Sequence, residues 1–371
     1  MRPICRRRPN SLRGVMTFTL GLCLAGLLSS TLRIVNANEC TGDHDPTIRP
    51  TPIEVDKDKL AQVKRAPCEP SALLMAPWDP GQILIGDNEA KRQLYLFRLT
   101  PGGLAFESVL DIAEKDEISD IEALAQVEGG VLIVGSHSRN NACERKPDRL
   151  RLLWLKRTGE GEFDTHLIHS ADDNSNRLER ITDDAHVCVT ELFTSPSPPH
   201  AAALCEALKR AKTAPQCPTF NIEAAVSTSD GRIWFGLRAP LVHDQAVMLR
   251  LQDKPIKQMT ELRFDRIVLL ALHAQGIRDL ALSPDGQHIW GLAGPQLDST
   301  VPFRLWRIPV AGLESETPLH PQINPRCLPT SSEGLLIQSS HAIVSIDGEE
   351  NKDNKKACMK PGQQYRLPLA P

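Results

Sequence analysis

A strand–turn–strand signature recurs five times along this chain, and that repetition restricts its fold more than any other feature. The clearest copy runs Ile118-Ser119-Asp120-Ile121-Glu122-Ala123-Leu124-Ala125 into Gly129-Gly130-Val131-Leu132-Ile133-Val134-Gly135-Ser136-His137-Ser138-Arg139. Another opens at Phe220-Asn221-Ile222-Glu223-Ala224 and passes Asp230-Gly231 to reach Ile233-Trp234-Phe235-Gly236-Leu237-Arg238. A third is Gly276-Ile277-Arg278-Asp279-Leu280, then Asp285-Gly286 and Ile289-Trp290-Gly291-Leu292. A fourth pairs Ser332-Glu333-Gly334-Leu335 with His341-Ala342-Ile343-Val344, and a degenerate first copy pairs Pro70-Ser71-Ala72-Leu73 with Ile83-Leu84-Ile85-Gly86. A short apolar run, a turn pair and a β-branched run spell a β-hairpin. Further strand-like runs follow at Leu94–Leu99, Leu150–Leu155, Val247–Leu251 and Phe303–Ile308. Three or four antiparallel strands per repeat of about fifty residues make a propeller blade. One small sheet cannot bury both its faces, so blades pack face to face around a channel.

The expected fold class is therefore all-β: a β-propeller of five blades, with six as the alternative, carrying a small partly helical insertion. Repeat starts near residues 72, 122, 223, 279 and 333 leave one step about twice the others. Either a sixth blade has lost its motif there, or an insertion at about 172–219 fills the gap. The polar run Asp172-Asp173-Asn174-Ser175-Asn176, the proline turn Ser195–Pro199 and a helical pattern from Ala201 to Lys212 favour the insertion. Residues 68–371 form the propeller, and the preceding 38–67 hold a segment, Pro52–Val63, available to close the ring.

Residues 1–37 have the pattern of a signal peptide. Arg2, Arg6, Arg7, Arg8 and Arg13 precede an apolar stretch from Val15 to Leu32, and Val35-Asn36-Ala37 offers small residues for cleavage after Ala37. A retained membrane anchor is the alternative; after cleavage no stable membrane insertion is expected, and the chain would be periplasmic or secreted. Without its six leader arginines the chain keeps 37 of 43 basic residues against 46 acidic ones, a formal net charge of −9. That balance argues against a nucleic-acid partner. The expected partners are a small anionic molecule or a protein or glycan surface, with the chain itself a monomer. Eight cysteines follow the leader: Cys40, Cys68, Cys143, Cys188, Cys205, Cys217, Cys327 and Cys358. An even count without C-x-x-C favours disulfides over a zinc site. Proximity in sequence suggests Cys205–Cys217 and Cys327–Cys358.

Chemistry concentrates at the repeat starts. Glu122, Glu223, Asp279 and Glu333 fall at the same point of their copies, and Asp120 lies two residues before Glu122, on the same strand face. Innermost strands line a propeller's channel, so these carboxylates would converge, which requires a cation, a proton or an arginine among them. Calcium or another divalent cation suits oxygen ligands. Equally, such acids can bond a neighbouring blade's backbone and hold the ring in register, or act directly as acids and bases. Arg139, Arg238 and Arg278 are candidates to bind an anionic substrate through paired hydrogen bonds, or to neutralise the acids. His137 is the candidate proton shuttle. No G-x-S-x-G elbow, H-E-x-x-H or P-loop occurs.

Across about residues 68–350 the chain resembles a bacterial family catalogued as domain of unknown function 3616. The matching segments are Ser119–Leu124, Gly135–Arg139, Asn221–Ala225, Gly236–Pro240, Gly276-Ile277-Arg278, Gly294-Pro295 and Ser332-Glu333-Gly334 followed by Asp347-Gly348. Ala123 and Ala224 depart from it, since glycine is common there. The resemblance implies an exported propeller and no assigned reaction. The strand starts are also distantly similar to those of phytase-like esterase propellers. Two functions are therefore expected to compete: a metal-assisted hydrolase of a small anionic ester, and a non-catalytic binding or scaffold propeller.

Overall fold

The computed structural model describes residues 49–140, 142–159, 161–170, 184–213, 220–259, 261–297, 301–354 and 357–369. The signal-peptide expectation, the run at 172–176, Cys40 and Cys217 lie outside these residues. Five four-stranded antiparallel sheets form five blades, which removes the six-bladed alternative. Blade I comprises Pro70–Met75, Gln82–Asp87, Gln93–Thr100 and Gly103–Asp111. Blade II comprises Ile121–Val127, Gly130–Gly135, Arg151–Arg157 and Phe163–Ser170. Blade III comprises Asn221–Ser227, Ile233–Val242, Gln245–Leu251 and Phe264–Leu270. Blade IV comprises Gly276–Leu282, His288–Gly294, Phe303–Pro309 and Gln322–Leu328. Blade V takes Ser332–Ile337, His341–Ile346 and Gln363–Pro368 from the C-terminal side, and its outermost strand, Thr51–Pro52, from the N-terminal side.

The inner strands are apolar without alternation because each blade is covered on both faces. Every residue of Gly130–Gly135 and of Ser332–Ile337 is buried. The outer strand Gln322–Leu328 is exposed or half-buried except at Leu328. The core is accordingly divided into five seams. Ala72 and Leu84 meet Leu124 and Ile133 between blades I and II, and Ala224 and Trp234 meet Ile277 and Ile289 between III and IV. Ile53 and Val55 join Leu73 and Ile343 between V and I. The predicted Asp-Gly turns hold Gly231 at φ +80° and Gly286 at φ +70°, which glycine adopts without strain.

Among the described residues the insertion carries two helices, α1 (Ala185–Leu192) and α2 (Ala201–Thr213). Asp184 caps α1, accepting from the amides of His186 and Val187. Cys188, Leu192, Leu204 and Cys205 extend the seam between blades II and III.

Two disulfides correct the sequence pairing: Cys205 joins Cys188, and Cys358 joins Cys68. Neighbours in sequence lose to neighbours in space. The α1–α2 hairpin brings Cys188 to Cys205, and ring closure brings Cys358 beside the entry to blade I across a separation of 290 residues. Cys143 and Cys327 are disulfide-bonded as well. These bonds place the folded chain in an oxidising compartment outside the cytoplasm. No helix among the described residues is long and apolar enough to cross a membrane.

Candidate functional site

All five innermost strands begin with the same irregularity. In blade II, Ile121 pairs with Gly135 and Ala123 with Val134, leaving Glu122 as an extra residue in the ladder. The matching residue is Ser71 in blade I, Glu223 in III and Arg278 in IV. In blade V the extra residue falls at Glu333-Gly334, between the Ser332–Ile346 and Leu335–Val344 pairs. A bulge interrupts two-residue alternation and re-aims one side chain. The blade keeps both faces in its seams while this residue reaches its neighbours across the channel. Matching the repeats by their acids puts Asp279 in this ring. The ladder corrects that by one residue, so blade IV contributes an arginine.

Arg278 is the hub. It is 6 % exposed, its Nη1 lies 2.9 Å from Glu223 Oε2, its Nε donates to Glu333 Oε2 at 2.8 Å, and its Nη2 donates to Glu333 Oε1. One planar guanidinium thereby ties blades III, IV and V. Arg238 Nη1 and Asn221 Nδ2 bond the other Glu223 oxygen at 3.0 and 2.9 Å. Gly294 makes room: a Cβ there would lie 2.9 Å from Arg278 Cγ. The Phe303 ring covers the guanidinium with its centroid 5.5 Å away.

Glu122 is held differently. Among the described residues no cation stands within ion-pair distance of it. The Asn88 amide, with its nitrogen turned inward, lies 3.2 Å from both Glu122 oxygens and 3.0 Å from Ser71 Oγ. Burial drives the Glu122 carboxyl well above the ordinary range; Asp120, Glu223 and Glu333 push the same way, and Arg278 pulls it back only partly. Asp120, in the left-handed region at φ 56°, pairs with Arg149 Nη1 at 2.8 Å. Burial raises its carboxyl and Arg149 opposes the rise. Asp347 is raised well above its usual range by burial, with Glu333 and Glu69 adding to it.

The remaining sequence candidates sit elsewhere. Asp279 accepts from Leu280 N at 2.7 Å and from Leu335 N at 2.5 Å, so it locks blade IV to blade V through backbone amides. Burial raises its carboxyl well above the ordinary range. His137 is buried at φ 59°, with Nδ1 2.8 Å from Gly135 O and its ring edge-on to Phe220. Those are contacts of a packing residue. Arg139 donates to Cys143 O at 2.9 Å within its own loop. Arg149, not Arg139, is the guanidinium at Asp120.

Sequence reasoning missed Asn88, Asp347, Arg149 and Ser71. Asn88, Arg238 and Asp347 share a ladder position: each follows by one residue the partner of the residue just before the bulge. That shared offset was a usable signal. Arg149 had none, because it arrives from a loop.

A divalent ion does not fit these residues. Arg278 fills the space between Glu223 and Glu333, and among the described residues no three Asp, Glu, His or Cys side chains are grouped to hold a metal.

A family model described as "Protein of unknown function (DUF3616)" matches residues 218–328, which span blades III and IV. No curated protein matches the chain. Among solved structures, the chain is similar to a protein of unknown function from Dyadobacter fermentans, at 10 % identity and a TM-score of 0.39, covering 88 % of this chain and 100 % of that one. It is also similar to the periplasmic gluconolactonase PpgL of Pseudomonas aeruginosa, at 12 % identity and a TM-score of 0.32, covering 78 % and 68 %.

Proposed function

We propose that the propeller is a metal-independent acid–base hydrolase of a small neutral ester, working at the charged end of its channel. The observation that supports this most is the contrast at the bulge ring. Glu223 and Glu333 are ion-paired, while Glu122 is buried among carboxylates that, with burial, raise its carboxyl above the ordinary range. A carboxyl raised by burial, with no cation at ion-pair distance among the described residues, is suited to the acid role. As water adds to the ester carbonyl, Glu122 gives its proton to the departing alkoxide and regains one from the water. The products are an acid and an alcohol. Arg238 and Arg149, with side chains 20 % and 24 % exposed, are the guanidiniums best placed to face the developing oxyanion. Because Arg149, Arg238 and Arg278 each already face a carboxylate, a neutral substrate fits better than the anionic one expected from sequence.

A second reading is favoured by the same ion pairs, since Arg278 binds three blades together: the charged ring is an architectural lock in a non-catalytic propeller. Hydrolysis of glucono-1,5-lactone and p-nitrophenyl acetate decides between them. Glu122→Gln is expected to lower kcat by about 10²–10⁴-fold. The wild-type rate is expected to fall as pH rises through the elevated Glu122 titration, because the acid form is the active one. No hydrolysis of either ester, or an unchanged rate in Glu122→Gln, leaves the architectural reading.

A further inference from the structure

At the end of the ring away from the bulge residues, three cavities meet at one side chain. One of about 560 Å³ lies between blades I and II, against Trp78, Gly129, Gly130 and Thr158. One of about 310 Å³ is the channel itself, walled by the later part of every innermost strand. One of about 670 Å³ lies between blades II and III, against Ser227, Thr228, Ser229 and Lys254. Gln126 lines all three. Its side chain is exposed, and among the described residues its amide has no hydrogen-bond partner.

We propose that the three cavities form one cleft that binds a neutral oligosaccharide. Its charges balance, Arg157 and Lys254 against Glu128 and Asp253, so no net field selects an ion. The innermost strands are paired on one side only, so their free edges turn backbone N–H and C=O groups toward the channel, some already held by side chains, as Asp279 holds the Leu280 and Leu335 amides and Ser227 the Gln126 carbonyl. The others require partners. Sugar hydroxyls donate and accept alike, whereas an acyl chain would leave them dry and unpaired.

Trp78 supplies a fixed platform at one end. Its Nε1 donates to Gln82 Oε1 at 3.1 Å, and its ring packs 4.6 Å from Phe163. A rigid indole face suits the C–H face of a pyranose. The lining also includes Gly129 and Gly231, where an added Cβ would meet nothing closer than 3.5 Å, so a ligand can approach the bare backbone. An extended peptide is served less well. The flanking cavities are walled mainly by turns, and only strand ends at Gln126, Val127 and Ser227 reach them, too short an edge for a ladder.

The cleft and Glu122 lie at opposite ends of the innermost strands, so the two proposals fail separately. Calorimetric titration of the disulfide-bonded protein with maltohexaose, cellohexaose and chitohexaose tests the cleft. At least one is expected to saturate. Trp78→Ala and the exposed Gln126→Ala are expected to weaken it by about tenfold or more, while Glu122→Gln leaves it within about twofold. Failure of all three sugars to saturate overturns the proposal. So does unchanged affinity in Gln126→Ala, or saturable binding of unstructured casein peptides without binding of any sugar.

Discussion

The seam between blades V and I is closed by a disulfide, backbone bonds and partly exposed ion pairs of Arg65 with Glu89 and Glu350, whereas the seams flanking blade IV are closed by buried charge. At the first, Cys68–Cys358 spans the junction with Cα atoms 5.5 Å apart. Ser345 Oγ donates to Pro70 O at 2.7 Å and Gly348 N to Cys68 O at 2.8 Å, while Thr51 pairs with Gln364 inside blade V. At the second, Arg278 joins Glu223 to Glu333 in a setting that excludes water. The bulge residue beside the covalent seam, Ser71, is uncharged; beside blade IV the bulge residues carry charge. A closure built from charge is expensive in desolvation, and it places ionisable groups where a ligand could meet them. The covalent seam frees blade I from that role.

The comparison predicts unequal responses. Arg278→Met leaves two buried carboxylates without their shared cation and is expected to destabilise by about 3–5 kcal/mol in urea unfolding. Adding Glu223→Gln and Glu333→Gln should recover much of that loss, since the penalty lies in the orphaned charges. A loss well under 1 kcal/mol in the single variant would show the ionic seam to be dispensable.

Cys68→Ser with Cys358→Ser is expected to cost about 2–5 kcal/mol, because the bond restrains the unfolded chain. The loss is read by urea unfolding at about pH 8, above the titration of the neighbouring Asp87 carboxyl, which is raised to about 7. A loss well under 1 kcal/mol would show that the backbone bonds and the Arg65 ion pairs hold this seam without the disulfide.

The smallest effect concerns Asp87, which lies by the covalent seam and accepts from the amides of Glu69 and Glu89 at 2.8 and 3.0 Å. Burial raises its carboxyl from 3.8 to about 7, against the pull of those amides. The folded state therefore holds an extra proton between those values, and stability falls as pH climbs from about 4 to about 7. Asp87→Asn is expected to flatten that slope in denaturation curves taken across the window. An unchanged slope would assign it to the other raised carboxyls, Glu69, Asp120, Glu122, Asp279, Glu333 and Asp347.

Much of the fold was legible in the chain because a hairpin is a local object. Asp230-Gly231 and Asp285-Gly286 mark turns wherever they occur, and the apolar runs on either side can only be strands covered on both faces. Glu122, Glu223 and Glu333 were visible for the same reason, as the recurring polar residue at a strand's opening. Their repetition implied that they would meet.

What the residues alone did not determine is which partner each would meet. A shift of one position separates Arg278, inside the ring, from Asp279, which faces the Leu335 amide, and only the ladder register distinguishes them. Cys68 met Cys358, Arg149 reached Asp120, and Glu122 remained without a guanidinium through distances between blades. Local sequence specifies turns and strands because their energies are local. Ion pairs and disulfides depend on separations set once the ring has closed, and those separations decided which carboxylates Arg278 would join.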